Sequence, residues 1–339
     1  MYMKKLAALT VAGLLTAGLG GCASASSARF NSNGVIQLRM AQASAATGAI
    51  GQSMDAYAAL VKEKSKGRLE ILTFHNGQLG TERDNVEACQ LGNLDMAVVN
   101  SSVLANFIPW YSAFDLPYVI NGTEHADQVF LGDIGADMRK AVEDVDLKGL
   151  SIWESGFRNL TNSKREINSL EDVKGLRIRV MENAVHQALW SALGADAVPM
   201  NWSDAYTAMQ QGAIDGQENP TTVIDKNNVV EINKNLAITQ HVYSTVSVIM
   251  SPSTWNALST EDQKILTDAM REVEITERTL SREMDQEAIR TLESKGMKVT
   301  YPDTAPFIVQ TQSVREKFGE SFKDILARIE AAGETEVTK

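Results

Sequence analysis

Apolar and charged residues alternate in the run LRIRV, in which Leu176, Ile178 and Val180 are interleaved with Arg177 and Arg179. A period of two predicts a β-strand that buries the apolar side chains on one face and directs both guanidinium groups to the other. A guanidinium is planar, permanently charged and rich in donors, so it suits bidentate recognition of a carboxylate. The same pattern is also typical of a sheet face whose arginines are simply solvated.

Helix signals occur twice in a similar arrangement. Thr81 can cap a helix that ends at Gly92, and Ser203 can cap a second helix that ends at Gly212. Each glycine is followed by a short segment that predicts a strand. We therefore expect two helix–strand units of one kind.

Aligning the run QLGNLD with QQGAID places Asn100 and Asn219 near equivalent strand ends. A second pair of runs, SKGRLEIL and VKGLRIRV, repeats a glycine followed by an alternating strand. Chance similarity can explain either pair alone, whereas two pairs in the same order favour two related α/β lobes. Strands that alternate with helices predict mostly parallel sheets, with a ligand cleft between the lobes at the carboxyl ends of the strands.

A long helix is predicted near the C-terminal end. The run STED at residues 259–262 is a capping-box pattern, apolar residues then recur at helical spacing, and Gly296 closes the run. About 35 residues at a rise of ~1.5 Å each span roughly 50 Å, which is longer than one lobe. The alternative is a break near residues 276–279, where the apolar spacing loosens.

The N-terminal residues indicate an export signal. Lys4 and Lys5 precede an apolar core at residues 6–19, which is too short for the ~20 residues of a transmembrane helix. The run LGGC that ends at Cys22 is similar to a bacterial lipobox, which predicts cleavage before this cysteine and lipid attachment to its thiol. The alternative is ordinary signal-peptidase cleavage, for example after Ala25.

Composition indicates a soluble globular chain and excludes some functions. The net charge is −11, the isoelectric point is about 5.0, and 22% of residues are charged. An acidic chain without a basic stripe is a poor candidate for nucleic-acid binding, so attraction of an anion must come from a local group of arginines. After Cys22 only Cys89 remains, so no intramolecular disulfide is possible and we expect a buried, inert thiol.

The runs GQLGTER, GNLDMAVVN, FDLPYVI, GFRNLTNSK, ALGADAVPMNWSDAY and MQQGAIDGQENP together resemble the solute-binding subunit of TRAP (tripartite ATP-independent periplasmic) transporters of the DctP type. The match covers nearly the whole mature chain in order. The predicted fold is α/β: a two-lobed, periplasmic-binding-protein-like fold with a ligand cleft between the lobes and a long C-terminal connecting helix. The predicted division is a signal peptide with lipobox at residues 1–22, a tether at 23–35, lobe I at 36–155 and 245–284, and lobe II at 156–244 and 285–332.

The resemblance also implies roles for single residues. Arg179 matches the arginine that clamps the ligand carboxylate, Arg158 a second arginine on the same anion, and Asn219 an asparagine that bonds the carboxylate. Trp202 takes the position of an aromatic that covers the ligand, although it could equally be a core aromatic. Polar groups for the rest of the solute are expected from the first lobe: Gln42, Glu82, Asn100 and Ser101.

The ligand is predicted less sharply than the family. Hydroxyl groups on a solute would suit these polar residues, so a sugar acid such as a uronate is the first expectation, with a C4-dicarboxylate or keto acid second. Sialic-acid-binding members carry a glutamate where Asn100 stands and an arginine where Val103 stands, which argues against sialic acid. Met181 stands where a proline commonly follows the RV of the motif, so the local shape of the site can differ from the family pattern.

No cofactor or metal is predicted, because the four histidines lack the spacing of a helical zinc site and no nucleophile motif occurs in the mature chain. The resemblance implies a membrane partner made of a small and a large subunit and driven by an ion gradient. We expect an exported, monomeric receptor in the periplasm or at the cell surface, held to a membrane through lipid at Cys22. A sensory binding protein and an exported enzyme acting on organic acids remain alternatives.

Overall fold

The computed structural model describes residues 34–334. The predicted signal peptide, the lipidation of Cys22 and nearly all of the predicted tether lie outside these residues. No helix within the described range is long and apolar enough to cross a membrane.

Ten strands occur within the described range, and they form one mixed sheet. In chain order they are β1 Ile36–Ala41, β2 Leu69–Phe74, β3 Met96–Asn100, β4 Lys148–Asn162, β5 Arg177–Val180, β6 Asp196–Pro199, β7 Gly216–Pro220, β8 Asn235–Ala237, β9 Tyr243–Met250 and β10 Lys298–Thr300.

Thirteen α-helices accompany these strands in the same part of the chain. They are α1 Ala49–Lys64, α2 Glu82–Gln90, α3 Ser101–Leu104, α4 Thr123–Phe130, α5 Asp133–Ala141, α6 Ala184–Ala192, α7 Trp202–Gln210, α8 Thr221–Lys226, α9 Pro252–Ala257, α10 Thr260–Ser294, α11 Ala305–Gln310, α12 Gln312–Gly319 and α13 Lys323–Glu334.

The sheet has two halves that meet in β4, with the strand order β2-β1-β3-β9-β4-β7-β5-β6. The first half-sheet contains β1, β2, β3, β9 and residues 148–157 of β4, in which β1 runs parallel to β2 and β3. The second half-sheet contains β5 to β8, β10 and residues 158–162 of β4, in which β5 runs parallel to β6 and β7. The carboxyl ends of parallel strands are therefore available in both halves.

Both faces of the first half-sheet are covered. Helices α2, α4, α5 and α13 contribute to one apolar cluster, which includes Phe130 and Tyr111, and helices α1 and α10 contribute to the other, which includes Trp153 and Met270. The second half-sheet is covered similarly, with Trp190 of α6 in one cluster and Met209 of α7 in the other. This burial on both faces explains why residues 96–99 of β3 are all apolar rather than alternating.

Helix α10 confirms the predicted long C-terminal helix. Its 35 residues begin after Ser259, whose hydroxyl accepts the N–H of Asp262 at 3.1 Å, and the chain leaves the helix at Gly296 with φ +85°. The helix is continuous through residues 276–279, so the alternative of a break there is wrong. It packs against α1 and β4 of the first half-sheet and then against α8 of the second.

The chain is predicted to pass between the lobes at residues 155–156, 244–245 and 284–285, and these three places lie close together in space. Strand β4 has an irregularity between Glu154 and Gly156, and Gly156 pairs with Ser244 of β9. Gly156 has φ +106°, and a Cβ placed there would lie 2.2 Å from Oδ2 of Asp285 in α10. Glycine is therefore required at this crossing both by its backbone and by the close approach of α10. The exact residue bounds of the lobes stay a prediction.

The predicted N-terminal cap is confirmed for α2 but not for α7. Thr81 caps α2 as predicted, and it forms a reciprocal capping box with Asp84. The prediction that Ser203 caps α7 is wrong, because the helix begins earlier and Asn201 accepts the N–H of Asp204 at 3.1 Å. Asn201 and Ser203 are both good caps, and only the path of the chain out of β6 decides between them.

Candidate ligand-binding site

Arg179 lies in β5 and is only 3% exposed. Its Nε donates to the carbonyl of Met200 at 2.8 Å, and its guanidinium carbon lies 5.6 Å from the centre of the Trp202 ring. Among the described residues, no side chain or carbonyl accepts a hydrogen bond from its two terminal nitrogens. The guanidinium is thus fixed at one edge while its terminal donors are left for another acceptor.

The surroundings of Arg179 are charged but do not neutralise it directly. Burial lowers the pKa of Arg179 to about 10, while Glu218 and Glu82 act in the opposite direction and Arg158 acts in the same direction as burial. The side chain therefore remains a cation at neutral pH. A buried cation without a direct ionic partner is costly, so an anion that bonds its terminal nitrogens would be held strongly.

Arg177, two residues earlier on the same face, has a different environment. It is 41% exposed along its side chain and pairs with Asp215 at 2.8 Å. It also donates to the carbonyls of Gly212 and Ala213. Arg177 is thus partly exposed, and its donors tie β5 to the turn before β7.

Arg158 is buried in β4 and forms an ion pair with Glu218 of β7. Its Nε lies 2.5 Å from one carboxylate oxygen and its Nη2 lies 2.9 Å from the other. The two side chains share a face of the sheet because Arg158 pairs with Pro220 in the antiparallel register. Within residues 34–334, Nη1 of Arg158 contacts only the hydroxyl of Ser244, at 3.5 Å.

Glu218 is held as a carboxylate by several groups. Burial alone would raise its pKa, but the charge of Arg158, the hydrogen bond from His241 and the nearby His186 lower the pKa well below its usual range. His241 donates through Nε2 at 3.0 Å, and its Nδ1 lies 2.8 Å from the hydroxyl of Thr239. Burial lowers the pKa of His241 although the hydrogen bond to Glu218 raises it. The lowered pKa favours the neutral ring.

Asn219 lies on the opposite face of β7 from Glu218 and is 7% exposed. The parallel register pairs Arg179 with Gln217, so Arg179, Gln217 and Asn219 share that face. The amide nitrogen of Asn219 lies 2.5 Å from the side-chain oxygen of Gln217. The structure thus places Asn219 on the face of Arg179, whereas Arg158 approaches from the other face.

Asn100 and Glu82 are joined on the first half-sheet. The backbone N–H of Asn100 donates to Glu82 at 2.7 Å, and the side chain of Asn100 caps α3 and donates to Ser244 at 2.8 Å. Burial raises the pKa of Glu82, and the N–H of Asn100 and the charges of Arg179 and Arg158 counteract it. Glu82 therefore comes near both arginines, while the amide of Asn100 is already bonded within the protein.

The last two predicted residues differ in their surroundings. Ser101 is buried in a cluster of hydroxyls with Ser247 at 3.1 Å and Thr245 at 2.9 Å, so its own hydroxyl is bonded to β9. Gln42 follows β1 and is 2% exposed, and its amide nitrogen lies 2.9 Å from Nδ1 of His75. No described residue donates to its side-chain oxygen.

Trp202, at the start of α7, lines a cavity of about 380 Å³ together with Ala43 and Asn76 of the first half-sheet. A Cβ placed on Gly77 would lie 3.1 Å from the hydroxyl of Ser203. The loops after β1 and β2 therefore meet the start of α7 directly. Trp202 therefore contacts both this cavity and the guanidinium of Arg179.

Glu218 and Ser244 are site residues that sequence reasoning missed. Glu218 stands inside the quoted run QENP, but its partner Arg158 is 60 residues away in the chain. Ser244 joins Asn100 to Arg158 and stands in a strand whose apolar pattern gives no functional signal. Within residues 34–334, no group of His, Cys, Asp or Glu could hold a metal ion.

Comparison with known proteins gives a family. The family model for bacterial extracellular solute-binding proteins, family 7 (DctP), matches residues 40–321. A solute-binding protein of Verminephrobacter eiseniae is 36% identical over 284 residues, which cover 83% of this chain and 85% of that protein. The sialic acid-binding periplasmic protein SiaP of Vibrio cholerae is 34% identical over 260 residues, which cover 76% of this chain and 80% of that protein.

A solved structure has the same fold. The sugar acid binding protein DctPAm from Advenella mimigardefordensis, in complex with galactonate, matches with a TM-score of 0.84 and 29% identity. The match covers 88% of this chain and 99% of that chain. The predicted fold class is thereby confirmed.

Proposed function

The chain belongs to the DctP family of bacterial extracellular solute-binding proteins, and we propose that it captures a small organic acid outside the cytoplasm by clamping its carboxylate with Arg179. In this proposal the acid is delivered unchanged to a TRAP transporter made of a small and a large membrane subunit. Lipid at Cys22, which lies outside the described residues, would keep the receptor at a membrane. The receptor acts as a monomer and carries out no catalysis.

One observation carries the proposal: Arg179 is 3% exposed, yet its terminal nitrogens have no acceptor among the described residues. The bond to Met200 fixes the plane of the guanidinium before a ligand arrives. A fork of donors held in this way matches both oxygens of a carboxylate. Preorganisation also lowers the entropy lost when the ligand binds.

Two further groups complete the anion site in this proposal. Nη1 of Arg158 supplies a third donor, because Glu218 already engages the other nitrogens of that guanidinium. Asn219 lies on the same face as Arg179 and contributes its amide. Since Glu218 neutralises Arg158, Arg179 contributes most of the charge that attracts the acid.

The rest of the solute would bond to the first half-sheet. Glu82 is an acceptor near both arginines, and the side-chain oxygen of Gln42 has no described donor. Carboxylate and amide oxygens accept from hydroxyl groups, which favours a hydroxylated acid. We therefore propose a sugar acid, such as a uronate or aldonate, ahead of a C4-dicarboxylate or keto acid. The galactonate complex of DctPAm supports this order.

A thermal-shift screen of sugar acids, dicarboxylates and keto acids identifies the ligand class, since a ligand at 100 times its dissociation constant stabilises by about 2.7 kcal/mol. Arg179→Ala should then weaken binding of the best acid by two to three orders of magnitude, because losing one partner of a buried ion pair costs about 3–5 kcal/mol. Arg177→Ala is the matched control, since Arg177 lies on the same strand face but is bonded to Asp215. Equal affinities of the two variants would refute the clamp.

Recovery of the chemically unchanged acid after long incubation tests the receptor against an enzyme. Nuclear magnetic resonance of the recovered solute should show the starting acid alone. A product that accumulates with time would contradict the proposal of a receptor.

A further inference from the structure

Gln42 of the proposed site is joined by a series of hydrogen bonds to His75 and Asp55, two side chains that the proposed function does not use. Asp55 of α1 lies 3.1 Å from Nε2 of His75, and Nδ1 of His75 lies 2.9 Å from the amide nitrogen of Gln42. Thr73 of β2 donates to the same oxygen of Asp55 at 2.7 Å, which holds the carboxylate in place. The series of hydrogen bonds runs from the half-exposed carboxylate of Asp55 to the buried amide of Gln42.

This series of hydrogen bonds ends at Gln42, beside the cleft. Gln42 follows β1, and its backbone bonds Phe74 and Gly77 of the neighbouring segment at 2.9 and 3.1 Å. Asn76, next to His75, lines the cavity that Trp202 also lines. The amide of Gln42 is therefore buried at the strand ends that face the start of α7.

For the neutral ring of His75, the order of its partners determines the orientation of the Gln42 amide. A carboxylate only accepts, so Nε2 of His75 carries the hydrogen that is donated to Asp55. In the neutral ring Nδ1 is then the acceptor, and only the NH₂ group of Gln42 can donate to it. The side-chain oxygen of Gln42 is consequently turned away from His75 and remains an acceptor without a described donor.

We infer that His75 is a positioning residue, which holds Gln42 so that its side-chain oxygen accepts a hydroxyl group of the solute. The site would thereby select acids that carry a hydroxyl over acids of similar size that lack one. A buried acceptor left unpaired by a hydroxyl-free solute is unfavourable, which is the physical basis of such selection. This inference rests on the proposed function, because it requires the acid to bind at Arg179.

A double-mutant cycle tests the inference, with D-erythronate and galactonate as hydroxylated probes and succinate as the hydroxyl-free probe. His75→Ala should weaken binding of the hydroxylated acid about tenfold and leave the binding of succinate within about twofold. In a Gln42→Ala background the same substitution should have no further effect, because His75 acts only through Gln42. His75→Asn should restore most of the affinity, since its amide oxygen can replace the Nδ1 acceptor.

Other results would overturn the inference. Equal affinity of the unaltered protein for succinate and for the hydroxylated acids would show that no hydroxyl is selected. A tenfold loss that persists in the Gln42→Ala background, or that affects succinate equally, would show that His75 acts on the fold and not through Gln42. Failure of the proposed function is separate, because it would appear as unchanged binding in Arg179→Ala whatever the result for His75.

Discussion

Removing one partner of the ion pair between Arg158 and Glu218 should strongly destabilise the ligand-free protein. Both side chains are almost fully buried, at 1% and 0% exposure, and the contact is bidentate. Glu218→Gln leaves the guanidinium buried without a counter-charge while preserving the shape of the side chain. Losing one partner of a buried pair costs about 3–5 kcal/mol, and we expect about 3 kcal/mol here because the amide oxygen still accepts one hydrogen bond.

Equilibrium urea unfolding of the ligand-free protein measures this loss. Far-ultraviolet circular dichroism and tryptophan fluorescence should give coincident transitions. Unfolding can then be treated as two-state and described by one free energy of unfolding. Glu171→Gln is the control, because Glu171 pairs with Lys174 at 2.7 Å on the surface and should leave the midpoint unchanged. A loss below about 1 kcal/mol for Glu218→Gln would contradict the claim that the buried Arg158 depends on the charge of Glu218.

Glu218→Gln should also change the way in which the free energy of unfolding depends on pH. The folded pKa of Glu218 is depressed, so its stabilising contribution is fully present above the unfolded pKa of about 4.3 and is lost as the pH falls toward the lower folded value. Glu218→Gln should therefore reduce the steepness with which stability declines below about pH 4.3. An unchanged slope would contradict a depressed pKa for this carboxyl.

Two further substitutions test the contact between β4 and α10. Gly156→Ala should destabilise strongly, because φ is +106° and the new Cβ would approach Asp285 at 2.2 Å, and a thermal midpoint within 1 °C of the unaltered protein would contradict this. Glu277 is buried, and burial raises its pKa to about 8. Because the folded pKa exceeds the unfolded value of about 4.3, stability should fall as the pH rises between these two values. Glu277→Gln should therefore be more stable than the unaltered protein at pH 9 and lose that advantage at pH 5, as measured by urea unfolding.

Features set by neighbouring residues could be predicted from the sequence. The cap at Ser259, the apolar spacing and the closing Gly296 all act within one helix, so α10 was predicted with its length. The cap that Thr81 forms on α2 was predicted for the same reason. At α7 the local signal was ambiguous, because Asn201 and Ser203 can both cap, and the path from β6 selected the earlier residue.

Contacts between distant parts of the chain could not be predicted from single-sequence patterns. Arg177 and Arg179 alternate identically in the sequence, yet Arg177 is bonded to Asp215, whereas Arg179 is buried with terminal donors that no residue in the described part of the chain accepts. The difference arises because the turn before β7 reaches one position and α7 covers the other. The pairing of Arg158 with Glu218 likewise depends on the antiparallel register of β4 and β7.

The central claim is that the terminal nitrogens of Arg179 hold the carboxylate of an organic acid. A crystal structure of the complex with the acid selected by the thermal-shift screen tests this claim most directly. The account predicts both carboxylate oxygens at about 2.7–2.9 Å from the guanidinium nitrogens, with Nε still bonded to Met200. An acid whose carboxylate lies elsewhere, while the terminal nitrogens of Arg179 contact only water, would contradict it.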